Sequence, residues 1–247
     1  RNTSHLKPDS AGSSRPERSI SGLVARELAG LRDVAAHRAR LARPLTDREM
    51  GALGRLSSRA EITRTRFTNV YNFGNFRGNP DLLMQKYFDA FVHVANWGTR
   101  ELMFRLPRKS LDAKAAAPYL VRDRVTIRTK GNILVVGLVS EEEGGDWEEG
   151  EGCMSDLIPI RAVLGDGDLR PLYLGWLRCA QTGDLEEDDR TPPVPPGMNK
   201  LSGSLRALAD FLRVEPGLIK AVSKSKGSAR TETVGDLLAQ AGMTIHE

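Results

Sequence analysis

Cysteine, histidine and long apolar runs are all scarce in this chain of 247 residues, and each scarcity removes a class of protein. Cys153 and Cys179 are the two cysteines, too few for a disulfide framework or a four-cysteine zinc centre. There are four histidines, and His93 is the only one within the central part of the sequence, so a histidine-based metal cluster is not expected. No apolar run approaches the roughly 18 residues of a membrane-crossing helix. The polar opening, rich in Ser, Arg and Pro, does not match a signal peptide, and the expected setting is the cytoplasm. Gly-x-Ser-x-Gly, Walker-type and dinucleotide glycine signatures are missing, as is any internal repeat. Neither a resident cofactor nor a metal is therefore expected.

What is present suits a packed protein: 40% hydrophobic and 28% charged residues. The charge is unevenly spread. Residues 1–66 hold 14 Lys/Arg against 7 Asp/Glu, a net of +7, which leaves −3 for the rest of a +4 chain. A basic leader on a mildly acidic body attracts nucleic acid or an acidic partner, or is simply a solvated arm.

Residues 1–18 read as a disordered leader. Residues 19–56 read as a basic helical extension. Leu23, Val24, Leu28, Leu31 and Val34 form an apolar stripe in a helix spanning about 20–42, with Arg26, Arg32 and Arg40 on its remaining surface. Thr46-Asp47-Arg48-Glu49 fits a capping box opening a short helix to about Leu56. Such an extension is expected to be dispensable for folding of the remainder.

The core is expected over 57–183. A half-buried strand over 62–73 would place Phe67 on one face and Arg64 and Arg66 on the other. The densest aromatic run, 75–107, organises the centre. Asn79 and Pro80 start a helix, Ala90–Trp97 and Arg100–Leu106 read as strands, and Gly98 turns the chain. Ser110 should cap a short helix that Pro118 ends. Val125–Thr129 and Ile133–Val139 around Lys130-Gly131-Asn132 read as a hairpin. These five strands, with helices irregularly between them, predict an α+β fold with an antiparallel or mixed sheet over 62–140. Helices are then expected over Asp156–Leu164 and beyond Asp168, the latter with Leu169, Leu172, Tyr173, Trp176 and Ala180 as its buried stripe. Residues 184–200, acidic and then Pro-rich, read as an extended connector. Residues 201–247 read as a helical C-terminal part.

Lys86-Tyr87-Phe88-Asp89-Ala90, Ala95-Asn96-Trp97-Gly98-Thr99-Arg100, Gly167-Asp168-Leu169-Arg170, Leu172-Tyr173-Leu174-Gly175-Trp176-Leu177 and Pro192-Pro193-Val194-Pro195-Pro196-Gly197 are stretches that resemble a family of bacterial hypothetical proteins without assigned activity. The likeness covers about 57–222. It implies that this span is one unit and implies no catalytic residue, cofactor or partner.

Three sets of residues are candidates for function. Arg26, Arg32, Arg40, Arg64 and Arg66 offer a basic binding surface, and Trp147 stands in the loop 141–151, where seven of eleven residues are carboxylates. That loop could dock a basic partner, ligate a hard cation or remain solvated, although its spacing is not that of an EF-hand. His93, flanked by valines, becomes a general base if an acid such as Glu101 or Asp89 lies beside it; otherwise it is a packed histidine. Leu201–Val222 has a helix–turn–helix rhythm, but Leu218 and Ile219 occupy the start of its second helix, which favours packing over DNA reading. The expected role is a non-catalytic binding protein with a protein partner or a second copy and no membrane partner. The alternatives are a nucleic-acid-associated protein using the basic N-terminal region, and a metal-dependent or hydrolytic enzyme using His93 and acidic residues.

Overall fold

The computed structural model describes residues 43–58, 60–69, 79–95, 98–142, 153–224 and 232–243, with the backbone of 23–25; the side chain of Cys153 is not described. The architecture is α+β. In chain order the strands are β1 (Leu23–Ala25), β2 (Glu61–Ile62), β3 (Arg66–Thr68), β4 (Ala90–Val94), β5 (Arg100–Pro107), β6 (Val125–Lys130) and β7 (Ile133–Ser140). All pairings are antiparallel. β4, β5, β7 and β6 lie side by side as one four-stranded sheet, and β2 and β3 pair separately. β1 pairs with both β3 and β4 and joins the two groups in the order β2-β3-β1-β4-β5-β7-β6. A helix over 20–42 is thus not what forms at Leu23–Ala25; the rest of that expected helix, like Trp97 and the acidic residues 143–151, lies outside the described residues.

Local chemistry sets most element ends. Thr46 and Glu49 form the expected capping box of α1 (Asp47–Gly54). The Asn79 side chain accepts from the Leu82 amide at the start of α2 (Pro80–Lys86), whose first residue is the proline. Asp112, not Ser110, caps α3 (Ala113–Ala116), because Arg108–Ser110 is taken up in a 3₁₀ turn. Over its described part, up to Asn69, the strand expected over 62–73 is instead two short strands. The Thr63 hydroxyl accepts from the amides of Thr65 and Arg66 and turns the chain between them. Pro159 divides the single helix expected over 156–164 into α4 (Cys153–Leu157) and α5 (Ile160–Gly165). α6 (Arg170–Gln181), α7 (Gly203–Leu212), α8 (Pro216–Ser223) and α9 (Val234–Ala241) follow. The Asp168 carboxylate accepts from the Arg170 amide, the Ser202 hydroxyl caps α7, and Thr233 with Asp236 makes a second capping box at α9.

Strand alternation sorts the core into two clusters. Val92, Leu102, Phe104, Leu106, Val136 and Leu138 point to the face covered by α4 to α9. α6 is buried from Pro171 to Ala180, all round rather than on one stripe, because the sheet lies on one side of it and further helices on the other. It comes so close to the sheet that a Cβ on Gly175 would sit 2.8 Å from Val125 and 2.9 Å from Leu138. Trp176 stacks on Tyr173 at 5.8 Å, and Cys179 is a core thiol that burial pushes up to about 12. The opposite face carries Phe91, Met103 and Val135 and is covered by α2 and by the 43–56 segment. Leu45 and Leu53 are fully buried there with Met84, Phe67 and Phe88.

Two expected boundaries therefore fall inside the packing. Residues 43–56 supply part of the core that was expected to begin at 57. The 184–200 connector is fastened down: Thr191, Val194 and Met198 are buried, and the Pro193 carbonyl accepts from the Tyr119 hydroxyl at 2.8 Å. The helices after residue 201 share the core cluster of the sheet. Arg100 and Arg178, with Ser140 and Gln181, donate to the carbonyls of Asp210, Phe211, Leu212 and Arg213 at the end of α7, where donors and positive charge are favourable. This junction ties the helical layer to one end of the sheet.

Candidate functional site

The face of the sheet that receives α2 is apolar only over part of its extent. The register of β4, β5, β7 and β6 lays its residues out in rows. Asp89 precedes β4 and lies beside Arg105, which pairs across to Val135 and Arg128. The next row is Phe91, Met103, Gly137 and Thr126. Beyond it stand His93, Glu101 and Val139. α2 covers the first two of these rows. Its Asp81 carboxylate binds the Arg128 guanidinium through both oxygens, at 2.5 and 2.6 Å, and the Gln85 side chain accepts from Lys130 at 2.8 Å.

Asp89 is a structural anion. Its Oδ1 accepts from Nε and NH2 of Arg105 at 3.2 and 2.8 Å, and Arg161 reaches the same oxygen at 3.6 Å. Arg105 also donates to the Gln85 carbonyl, and Arg161 donates to the carbonyl of Arg105. Asp89 and Arg105 are 4% and 7% exposed, so the guanidinium and carboxylate compensate each other's burial. Asp89 is not placed beside His93; three residues of β4 separate them.

Glu101 is. His93 and Glu101 are direct cross-strand neighbours, and such residues hold their Cβ atoms about 4.5–5.5 Å apart. Both are half-buried, and the His93 ring stacks on Phe91 at 6.5 Å. Burial lowers the His93 pKa, so the imidazole is neutral at pH 7, with one donor and one acceptor nitrogen. Burial raises the Glu101 pKa, the nearby Asp81 carboxylate raises it further, and Arg128 offsets part of the rise. In the adjoining row Gly137 leaves a gap, and the Thr126 hydroxyl leans into it: a Cβ on Gly137 would lie 2.7 Å from that oxygen. The side chains of His93, Glu101 and Thr126 make no hydrogen bond or ion pair among the described residues.

The other sequence candidates are dispersed. Arg64 pairs with Asp47 at 2.9 Å and donates to the Leu45 carbonyl, so it helps hold α1 in place. Arg66 is exposed on β3. Arg26, Arg32, Arg40 and Trp147 lie outside the described residues. Among the described residues there is no group of three or more metal-ligating side chains, and no helix long and apolar enough to cross a membrane. Sequence reasoning named His93 and Glu101 but missed Thr126, Gly137, Asp81 and Arg128. The legible signal was the tight Gly131-Asn132 turn, which sets Thr126 opposite Gly137; that all of them share a face with His93 depends on the strand order.

No family model, curated protein or solved structure matches this chain. The functional reading accordingly rests on the geometry.

Proposed function

We propose that this is a binding protein whose ligand-receiving surface is the half-covered sheet face around His93, Glu101 and Thr126. The observation that carries the reading is that these three polar side chains have no hydrogen-bond or ion-pair partner among the described residues. Being half-buried rather than sealed in the core, these groups are open to an arriving group that supplies the bonds. Phe91 and Met103 are buried under α2, whose Asp81–Arg128 pair borders the surface on that side. The basic N-terminal residues Arg26, Arg32 and Arg40 are, by their charge, further candidates for meeting an acidic partner.

A stability measurement tests this without knowledge of the ligand. The double variant His93→Val/Glu101→Val puts two good strand residues where the polar pair stands. It is expected to fold with an unchanged or higher midpoint in urea, the behaviour of residues kept for function at the expense of stability. A loss of more than about 1 kcal/mol would mean that the pair belongs to the fold, and the reading would fail.

A second reading, acid–base chemistry, draws on the same pair. Burial moves His93 down and Glu101 up, toward each other, which suits proton transfer between enzyme and substrate. On that reading either single substitution abolishes turnover, whereas a binding site loses affinity by degrees.

A further inference from the structure

We infer that the outer edge of β6 receives an extended segment of a partner protein, with carboxylates at alternate positions, which adds to the sheet as one more antiparallel strand. This goes beyond the binding reading above and rests on different atoms, those of the backbone.

The strand order leaves β6 paired on one side alone, with β7. Two sets of bonds fix which of its peptide groups turn outward. The Arg124 carbonyl accepts from the Val139 amide, on the β7 side, and Val125 exchanges both of its backbone bonds with Val121, on the outer side. Successive residues of an antiparallel strand serve opposite edges, so Ile127 and Thr129 turn outward like Val125. Their outward N–H and C=O groups have no hydrogen bond among the described residues. The Val121 bridge closes this stretch at one end and the Gly131-Asn132 turn at the other, which leaves 126–130 open. Sheets usually blunt an edge by keeping it very short, as with the two residues of β2, or by laying charged side chains along it. β6 has six residues, and its charged side chains are drawn onto the face of the sheet, Arg128 by Asp81 and Lys130 by Gln85.

A second copy is the simplest occupant of an open edge, and the register disfavours it. Outward residues must meet outward residues. Ile127 against its own copy sets Thr129 on Val125, whose outward groups Val121 already holds. Ile127 against Thr129 sets Arg128 on the other copy's Arg128. Thr129 against its own copy sets Arg128 on Lys130. Like charges directly opposite destabilise a strand pair. Carboxylates opposite Arg128 and Lys130 turn the same pattern into an attraction. Arg128 engages Asp81 through NH1 alone, which leaves its other N–H groups for a second carboxylate, and Lys130 is exposed and donates to an uncharged side chain. The residue between the two carboxylates then meets Thr129 through the backbone, the usual division of labour in strand addition. Leu120 precedes Val121 and is 40% exposed, so it offers an apolar contact where the added strand ends.

The test uses the full chain and two short blocked peptides, one alternating valine with glutamate and the other valine with lysine. Binding is followed by the backbone amide resonances and their exchange with deuterium. The glutamate peptide should bind saturably and slow exchange at Ile127 and Thr129, and the lysine peptide should bind about tenfold more weakly or worse. Thr129→Pro removes one outward N–H and spares the β7 ladder, since proline is tolerated on the free side of an edge strand. It should weaken the glutamate peptide about tenfold. Lys130→Glu gives an independent check should the proline variant not fold, and should remove the preference for the glutamate peptide. Equal binding of the two peptides by the parent would overturn the stated partner. Binding that leaves exchange at Ile127 and Thr129 unchanged would overturn the strand addition. So would a folded Thr129→Pro that binds like the parent, or the failure of both peptides to bind. A chain that is dimeric by light scattering, with those two amides protected before any peptide is added, would overturn the inference in favour of a second copy.

Discussion

The two faces of the central sheet are built from the same strands and finished differently. The face under α4 to α9 is apolar from Val92 to Leu138, and the polar groups at its end, such as Ser140 and the Arg100 guanidinium, donate to the carbonyls closing α7. The face under α1 and α2 begins the same way, with Leu45, Leu53, Met84, Phe88 and Met103 packed together, and then changes. Its next residues are His93, Glu101 and Thr126, half-buried and without a hydrogen-bond or ion-pair partner among the described residues. One face is explained by folding. The other is explained by folding over half its extent. Where a fold leaves polar groups unserved on a surface it could have filled with valine, that surface is the place to look for a ligand.

Four experiments break or sharpen this contrast. The largest effect is expected on the first face. Trp176→Ala removes a side chain 3% exposed and stacked on Tyr173, and should destabilise by about 3–5 kcal/mol in urea denaturation. Next is the apolar half of the second face. Leu53→Ala should lose about 2–5 kcal/mol, because α1 is core rather than appendage. For the same reason a chain truncated to begin at residue 57, which the sequence alone would have left folded, should show a lower melting temperature than the full chain. A loss below about 0.5 kcal/mol at Leu53, the range of surface changes, would return 43–56 to the status of a passive arm.

The smallest effect is on the polar half, and it is a pH dependence. Burial and Asp81 raise the Glu101 carboxyl above its ordinary range, so the folded chain holds a proton that the unfolded chain releases. The sign follows from that difference. Glu101 favours folding most at pH below the ordinary carboxylate value, and that contribution is lost as pH rises through the raised one. Glu101→Gln should therefore flatten the stability–pH curve between these two limits and leave the curve elsewhere parallel to the parent. A curve unchanged in shape would mean that Glu101 is solvated like any surface carboxylate, and the contrast between the faces would lose its polar half.

The features legible in the sequence were those set by near neighbours. The Thr46–Glu49 capping box and the Asn79–Pro80 helix start depend on side chains within a few residues of the backbone they serve. So does the hairpin around Gly131-Asn132, whose glycine adopts φ 57°. The α+β class followed from the number and spacing of such segments. Errors arose where two equally good local choices existed, as with Ser110 against Asp112, or where a hydroxyl such as that of Thr63 interrupted a strand that pattern alone would continue.

Tertiary structure decided the rest. Whether 43–56 is an arm or part of the core depends on Leu45 and Leu53 meeting Phe67 and Phe88, a choice that helix amphipathicity leaves open because any apolar stripe needs only some partner. Whether His93 faces Glu101 or Asp89 depends on the register of β4 against β5. A one-residue slip in that register would turn the whole set of facing side chains to the opposite side. Sequence by itself determined which side chains could carry chemistry and which local elements would hold them. The convergence of His93, Glu101, Thr126 and Asp81 on one face came from strand order and helix docking, because contacts between residues far apart in the chain are selected by packing of the whole and not by the preferences of any segment.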